Sequence, residues 1–134
     1  MQILRNGLFM LLTAALLIAC SSSNSPEKVA KEYINAVLAN DIDGLMNTLY
    51  IPADAHKDQE TLMRGKLTMM LAEASTRVIS QGGVKEVTYS KPEYNAEKTR
   101  ATMAATIHYK KDNAPKKEET IVLVDTKDGW KVSL

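Results

Sequence analysis

Two histidines and one cysteine are the residues of widest chemical reach in this 134-residue chain. His56 stands between Asp54 and Asp58 at alternate positions. On an extended segment the three side chains would share one side, where they could bind a hard or borderline metal or supply acid/base chemistry. On a helix they would turn away from one another, and the same residues then read as a solvent-facing helix start, which is the expectation here. His108 alternates with Thr106 and Thr102, so it belongs to one face of a strand. With Tyr89 or Tyr109 it could bind or protonate a polar ligand, yet an ideal strand points Tyr109 the opposite way. A polar outer face is the simpler reading of His108. No serine sits in a nucleophile elbow, and Gly82-Gly83 lacks the Lys and Ser/Thr of a phosphate loop. The expectation is therefore no catalytic residue, no metal and no cofactor.

Cys20 is different because it has no second cysteine to pair with, which excludes an internal disulfide. It ends the run MQILRNGLFMLLTAALLIAC, in which Arg5 precedes an apolar stretch from Leu8 to Ile18. That is the pattern of a secretory leader, and the apolar stretch is short for a membrane span. The quartet Leu17-Ile18-Ala19-Cys20 resembles the lipobox of bacterial lipoproteins. The resemblance implies cleavage before Cys20, a thioether-linked diacylglycerol on its sulfur, and acylation of the new amino end by a fatty acid such as palmitate. Each buried methylene of such chains contributes roughly 0.8 kcal/mol of membrane affinity. Ser21 stands where Asp would favour inner-membrane retention, so a Gram-negative host would deliver the protein to the outer membrane facing the periplasm, with surface exposure as the other outcome.

Removal of residues 1–19 leaves 115 of the 134 residues, enough for one domain and too few for two. Taking Arg5 from the 17 basic side chains leaves 16 against 16 acidic ones. A balance near zero gives no case for nucleic acid or for broad attraction to anionic lipid. The pairs Lys110-Lys111 and Lys116-Lys117 flank a loop and precede Glu118-Glu119, which reads as a solvated hairpin. The expected organisation is a lipoprotein signal peptide over 1–19, a lipidated cysteine and polar tether over 20–25, and a single α+β domain over 26–134.

Within that domain Ser25 and Pro26 mark a helix start, and Val29, Tyr33, Ile34, Val37 and Leu38 form one apolar stripe. Asp41 can cap a second short helix through Leu45, Met46 and Leu49. Pro52 makes a corner, and a third, longer helix starts at or just after Asp54. Its proposed buried positions are Leu62, Met63, Leu67, Met70, Leu71, Ala74, Val78 and Ile79, with Met69 as further core filler and Gly82-Gly83 as the stop. Gly65 reads as a tolerated turn packed closely against a neighbour.

After Gly83 the period changes to two. VKEVTYS, RATMAATIHYK, TIVLVD and WKVSL read as four antiparallel strands, with Asp128-Gly129 as a tight turn and Trp130 as a core plug. Continuous apolarity over residues 121–124 marks a central strand whose Val122 and Val124 need cover. Three helices before this sheet make an α+β fold, with the helices packed on a curved four-stranded antiparallel sheet.

The opening SPEKVAKEYINAVLANDIDGLMNTLY and the closing TIVLVDTKDGWKVSL together resemble bacterial lipoproteins of the domain of unknown function 4878, within the nuclear-transport-factor-2-like, cystatin-like group. Residues 24–134 carry the resemblance, most specifically Ala30, Tyr33 and Ala36 before Asn40-Asp41, and the DGWKV hairpin. It implies a cone in which a long helix packs into a bent sheet, and it brings no catalytic motif to transfer. The function expected is a membrane-anchored, non-enzymatic module that binds an envelope protein partner, a second copy of itself, or a small apolar ligand. The alternative is a small pocket enzyme using histidine and carboxylate chemistry.

Overall fold

The computed structural model describes residues 24–134. The leader over 1–19 and the Cys20 lipidation site lie outside the described residues. None of the described helices is long and apolar enough to cross a membrane.

Among the described residues three helices come first: α1 over Pro26–Leu38, α2 over Ile42–Thr48 and α3 over Lys57–Ser80. Their starts follow from side-chain caps that satisfy otherwise orphaned amides. Ser25 Oγ accepts the Lys28 N–H at 3.2 Å, and Asp41 Oδ1 accepts the Gly44 N–H at 3.0 Å. At α3 the cap is His56, whose own N–H donates to Gln59 Oε1 at 3.3 Å. Gly82 and Gly83 end α3 at φ of 79° and 102°, in a region that residues with a Cβ rarely enter.

Five antiparallel strands follow, where the sequence pattern had indicated four: β1 Val84–Tyr89, β2 Glu93–Tyr94, β3 Arg100–Tyr109, β4 Lys117–Thr126 and β5 Gly129–Ser133. The order across the sheet is β1-β3-β4-β5, and β2 pairs with the same edge of β3 that β1 uses. The extra strand is the second half of one interrupted edge. Pro92 has no N–H to give, and Ser90 bridges the break, donating from its amide to Ala104 O and accepting the Ala104 N–H on its hydroxyl, both at 2.8 Å.

Alternation along the strands decides what is inside. Ala101, Met103, Ala105, Ile107 and Tyr109 are buried on the helix side of β3, and Ile121 and Leu123 are buried beside them on β4. Val122 and Val124 point to the open face and are half-buried. The helix that lies directly on this sheet is α1, which contacts β3, β4 and β5, while α3 packs chiefly on α1 and α2. The expected seating of the long helix in the sheet is thus corrected: α1 occupies that seat, and α3 stands off beyond it.

The buried stripe of α3 is also narrower than expected. Leu67 and Leu71 are its fully buried residues, with Met63 and Met70 partly covered. Leu62, Met69 and Ile79 are exposed. At 100° per residue Leu62 and Ile79 lie about 140° and 120° around the helix from Leu67, so they cannot share its face. Gly65 has open space around it, since a Cβ built there meets nothing within 4 Å. The expected close packing at Gly65 is absent.

At the other end of the sheet the chain entering α1 is latched. Asn24 Oδ1 accepts the Trp130 N–H at 2.9 Å and its Nδ2 donates to Trp130 O at 3.3 Å. Gly129, at φ 98°, leaves room for that amide. Trp130 packs against the edge of the core, edge-on to Tyr94 with ring centroids 6.0 Å apart.

Replacing Gly65 by Ala should raise stability by up to about 1 kcal/mol, because helix propensity improves and nothing is displaced. Urea unfolding followed by helical circular dichroism in dilute solution reads this directly. The same measurement should show Asn24→Ala losing roughly 1–2 kcal/mol, the worth of two half-buried hydrogen bonds.

Candidate ligand cleft

The stand-off of α3 leaves a cleft of about 220 Å³ between the helices and the far half of the sheet. Its apolar wall comes from the i, i+1, i+4, i+5 stripe of α1, Tyr33, Ile34, Val37 and Leu38, facing Met70, Ala74 and Val78 at four-residue steps on α3. Ile107 and Tyr109 form the floor from the end of β3. Charge is confined to the mouth, where α3 presents Glu73 and Arg77 and β4 presents Lys117 and Glu119.

Lys117 and Glu119 owe their place to strand parity. They share the helix-side face with Ile121 and Leu123, but are only partly covered, and there they pair with each other at 3.7 Å. Both are partly exposed, so the pair contributes little stability. Its effect is to set a polar edge on an apolar hollow. Tyr33 adds a hydroxyl whose pKa is raised from the usual 10.0, first by burial and then by the Glu119 carboxylate. The phenol therefore stays neutral and able to donate a hydrogen bond throughout the physiological range.

The residues singled out from sequence lie elsewhere. Asp54 and His56 line a wider, shallower groove of about 390 Å³ with Ile51, Pro52 and Met63, while Asp58 sits in the first turn of α3 and takes no part in it. Among the described residues no group of three or more His, Cys, Asp or Glu is placed to hold a metal ion. His108 is on the outer face, its Nε2 3.5 Å from Thr88 Oγ1, in an open groove with Lys85, Lys110, Lys111 and Lys116. Glu86 is its cross-strand neighbour, but the hydrogen-bond partner it has is the threonine. Neither histidine reaches the cleft. The signal that could have revealed the cleft was two charged residues, Lys117 and Glu119, at core parity just ahead of an apolar strand.

This arrangement defines an α+β protein of the nuclear-transport-factor-2-like fold, with its cleft between helices and curved sheet. A crystal structure of a protein from Campylobacter jejuni, provisionally named an NTF2-like transpeptidase, overlays with a TM-score of 0.74 across 83% of this chain and 99% of its own, at 22% identity. At that identity the likeness establishes the fold. The intermembrane space region of the chloroplast protein ARC6 overlays at a TM-score of 0.37 and 14% identity over 81% of this chain and 89% of its own. No family model matches the sequence, and no curated protein matches it.

Tyr33 and Tyr89, whose pKa burial also raises, should ionise only above the usual 10.0 in an ultraviolet titration. A phenol with a raised folded pKa contributes stability that is complete below pH 10.0 and is lost as pH climbs through the higher folded value. Glu119→Gln should lower the Tyr33 value part of the way back, leaving the burial effect in place. A Tyr33→Phe difference spectrum identifies the residue.

Proposed function

We propose that this chain is a lipid-anchored envelope protein whose body binds a small, mainly apolar ligand in the cleft without chemical turnover. The observation that carries this reading is the cleft itself: apolar walls, a polar edge confined to the mouth, and a neutral phenol inside. Such a site suits a molecule with an apolar body and one or two hydrogen-bonding groups. A dry apolar cavity of about 150 Å³ accepts benzene, so a hollow of this size fits a molecule somewhat larger than a single ring.

The anchor belongs to the same proposal. The lipobox-like Leu17-Ile18-Ala19-Cys20 lies four residues ahead of Asn24, so an extended tether spans at most about 14 Å. Asn24 is latched to Trp130 at one end of the sheet, whereas Ile107, Tyr109, Lys117 and Glu119 lie toward the opposite ends of their strands. A body held this way keeps its cleft away from the bilayer and open to ligand. The enzyme reading has less support, since both histidines lie outside the cleft. A partner on the open sheet face also has less, since Val122 and Val124 are already half-covered.

Two measurements test the proposal together. The intact mass of the matured chain should show Cys20 as the first residue, carrying diacylglycerol and a further acyl chain; a free thiol there would remove the anchor. An environment-sensitive apolar fluorophore should bind the protein and be displaced by small aromatic alcohols. Ala74→Phe, which fills the cleft, should weaken that binding at least about tenfold. Unchanged binding in a folded Ala74→Phe protein would sink the ligand assignment.

A further inference from the structure

The face of α3 that points away from Leu67 and Leu71 carries Leu62, Gly65, Met69, Ala72, Thr76 and Ile79, all exposed. Their spacing alternates three and four residues without a break, which is the heptad seam of a two-helix coiled coil. Leu62, Met69 and Ile79 are 62%, 69% and 76% exposed, and they account for three of the six large exposed hydrophobic residues of the described chain. Gly65 lies in the same seam, where it weakens an isolated helix and nothing among the described residues needs the space. Close approach of another helix would give that glycine a use.

We propose that this seam is the contact between two copies of the chain, with their α3 helices antiparallel about a twofold axis crossing between Met70 and Leu71. That axis sets Leu62 opposite Ile79 of the second copy, Gly65 opposite its Thr76, and Met69 opposite its Ala72. Each close pair within the seam then matches a larger side chain with a smaller one, and the two branched residues close its ends. The flanking charges decide for a second copy over another helix. Lys66 and Glu73 occupy the same flanking position in successive heptads, and in the antiparallel arrangement Lys66 of each copy comes beside Glu73 of the other. Neither forms an ion pair among the described residues. The match is reciprocal, so symmetry makes it twice.

The seam is one helix wide and about 26 Å long, which places the interface at the small end of the specific range and makes the dimer reversible. Confinement of both copies to one membrane would raise their effective concentration. The inference does not depend on the ligand or on the lipid.

Zero-length carbodiimide coupling of the full chain in its native envelope tests it. The expected product is a covalent dimer joined by an amide between Lys66 of one copy and Glu73 of the other. Lys66→Glu and Glu73→Lys should each cut association about tenfold, read by sedimentation of the detergent-extracted protein. The double variant Lys66→Glu/Glu73→Lys should restore association. Gly65→Leu, which the open surroundings let the monomer accept, should lower dimer yield while circular dichroism stays unchanged. A monomer at all concentrations, coupling of Lys66 to a different protein, dimers joined through other residues, or failure of the folded double variant to recover would each overturn the proposal.

Discussion

The body of this protein depends on α1 being held between the sheet and the long helix. Val29, Ala30 and Ile34 turn one way to meet Met103, Ile121 and Leu123, and the same short helix also supports α3. Full burial of a side chain such as Ile34 is worth roughly 1.5–3 kcal/mol, and α1 makes several such contacts within three turns. Because α1 is only 13 residues long and α3 is 24, the shorter helix cannot fill the whole space between the longer one and ten-residue strands. The cleft is the space left beside its C-terminal half.

That geometry gives the two ends of the molecule different characters. Where α1 begins, Asn24, Gly129, Trp130 and Tyr94 close the core with hydrogen bonds and an aromatic contact. Where α1 ends, Asn40 turns the chain at φ 55°, and the residues of core parity that β4 presents toward that end are Lys117 and Glu119. Charged groups are tolerated there because water reaches them. An apolar hollow with a charged edge follows from a helix that stops short of its sheet.

The two faces of α3 separate two roles in the same way. Its inner face contributes Leu67 and Leu71 to the core and Met70, Ala74 and Val78 to the cleft. Its outer face has no partner among the described residues, and three large apolar residues remain there. A helix apolar on both sides has an ambiguous hydrophobic pattern, which is why reading one continuous stripe from Leu62 to Ile79 merged the two.

By itself the sequence determined the local features whose causes are local. The caps at Ser25 and Asp41, the glycine stop at residues 82 and 83, the two-residue alternation of β3 and the tight turn before Gly129 all follow from interactions within a few residues. The α+β order followed from those signals. Tertiary structure decided which helix rests on the sheet, which of two apolar faces of α3 is inside, and that Pro92 splits an edge strand in two. It also decided that Tyr33, Glu73, Arg77, Lys117 and Glu119, spread over 87 residues, meet around one hollow. Periodicity records which residues share a side of their own element, but the length of one element relative to its neighbours decides what that side meets, and that relation exists only once the chain is packed.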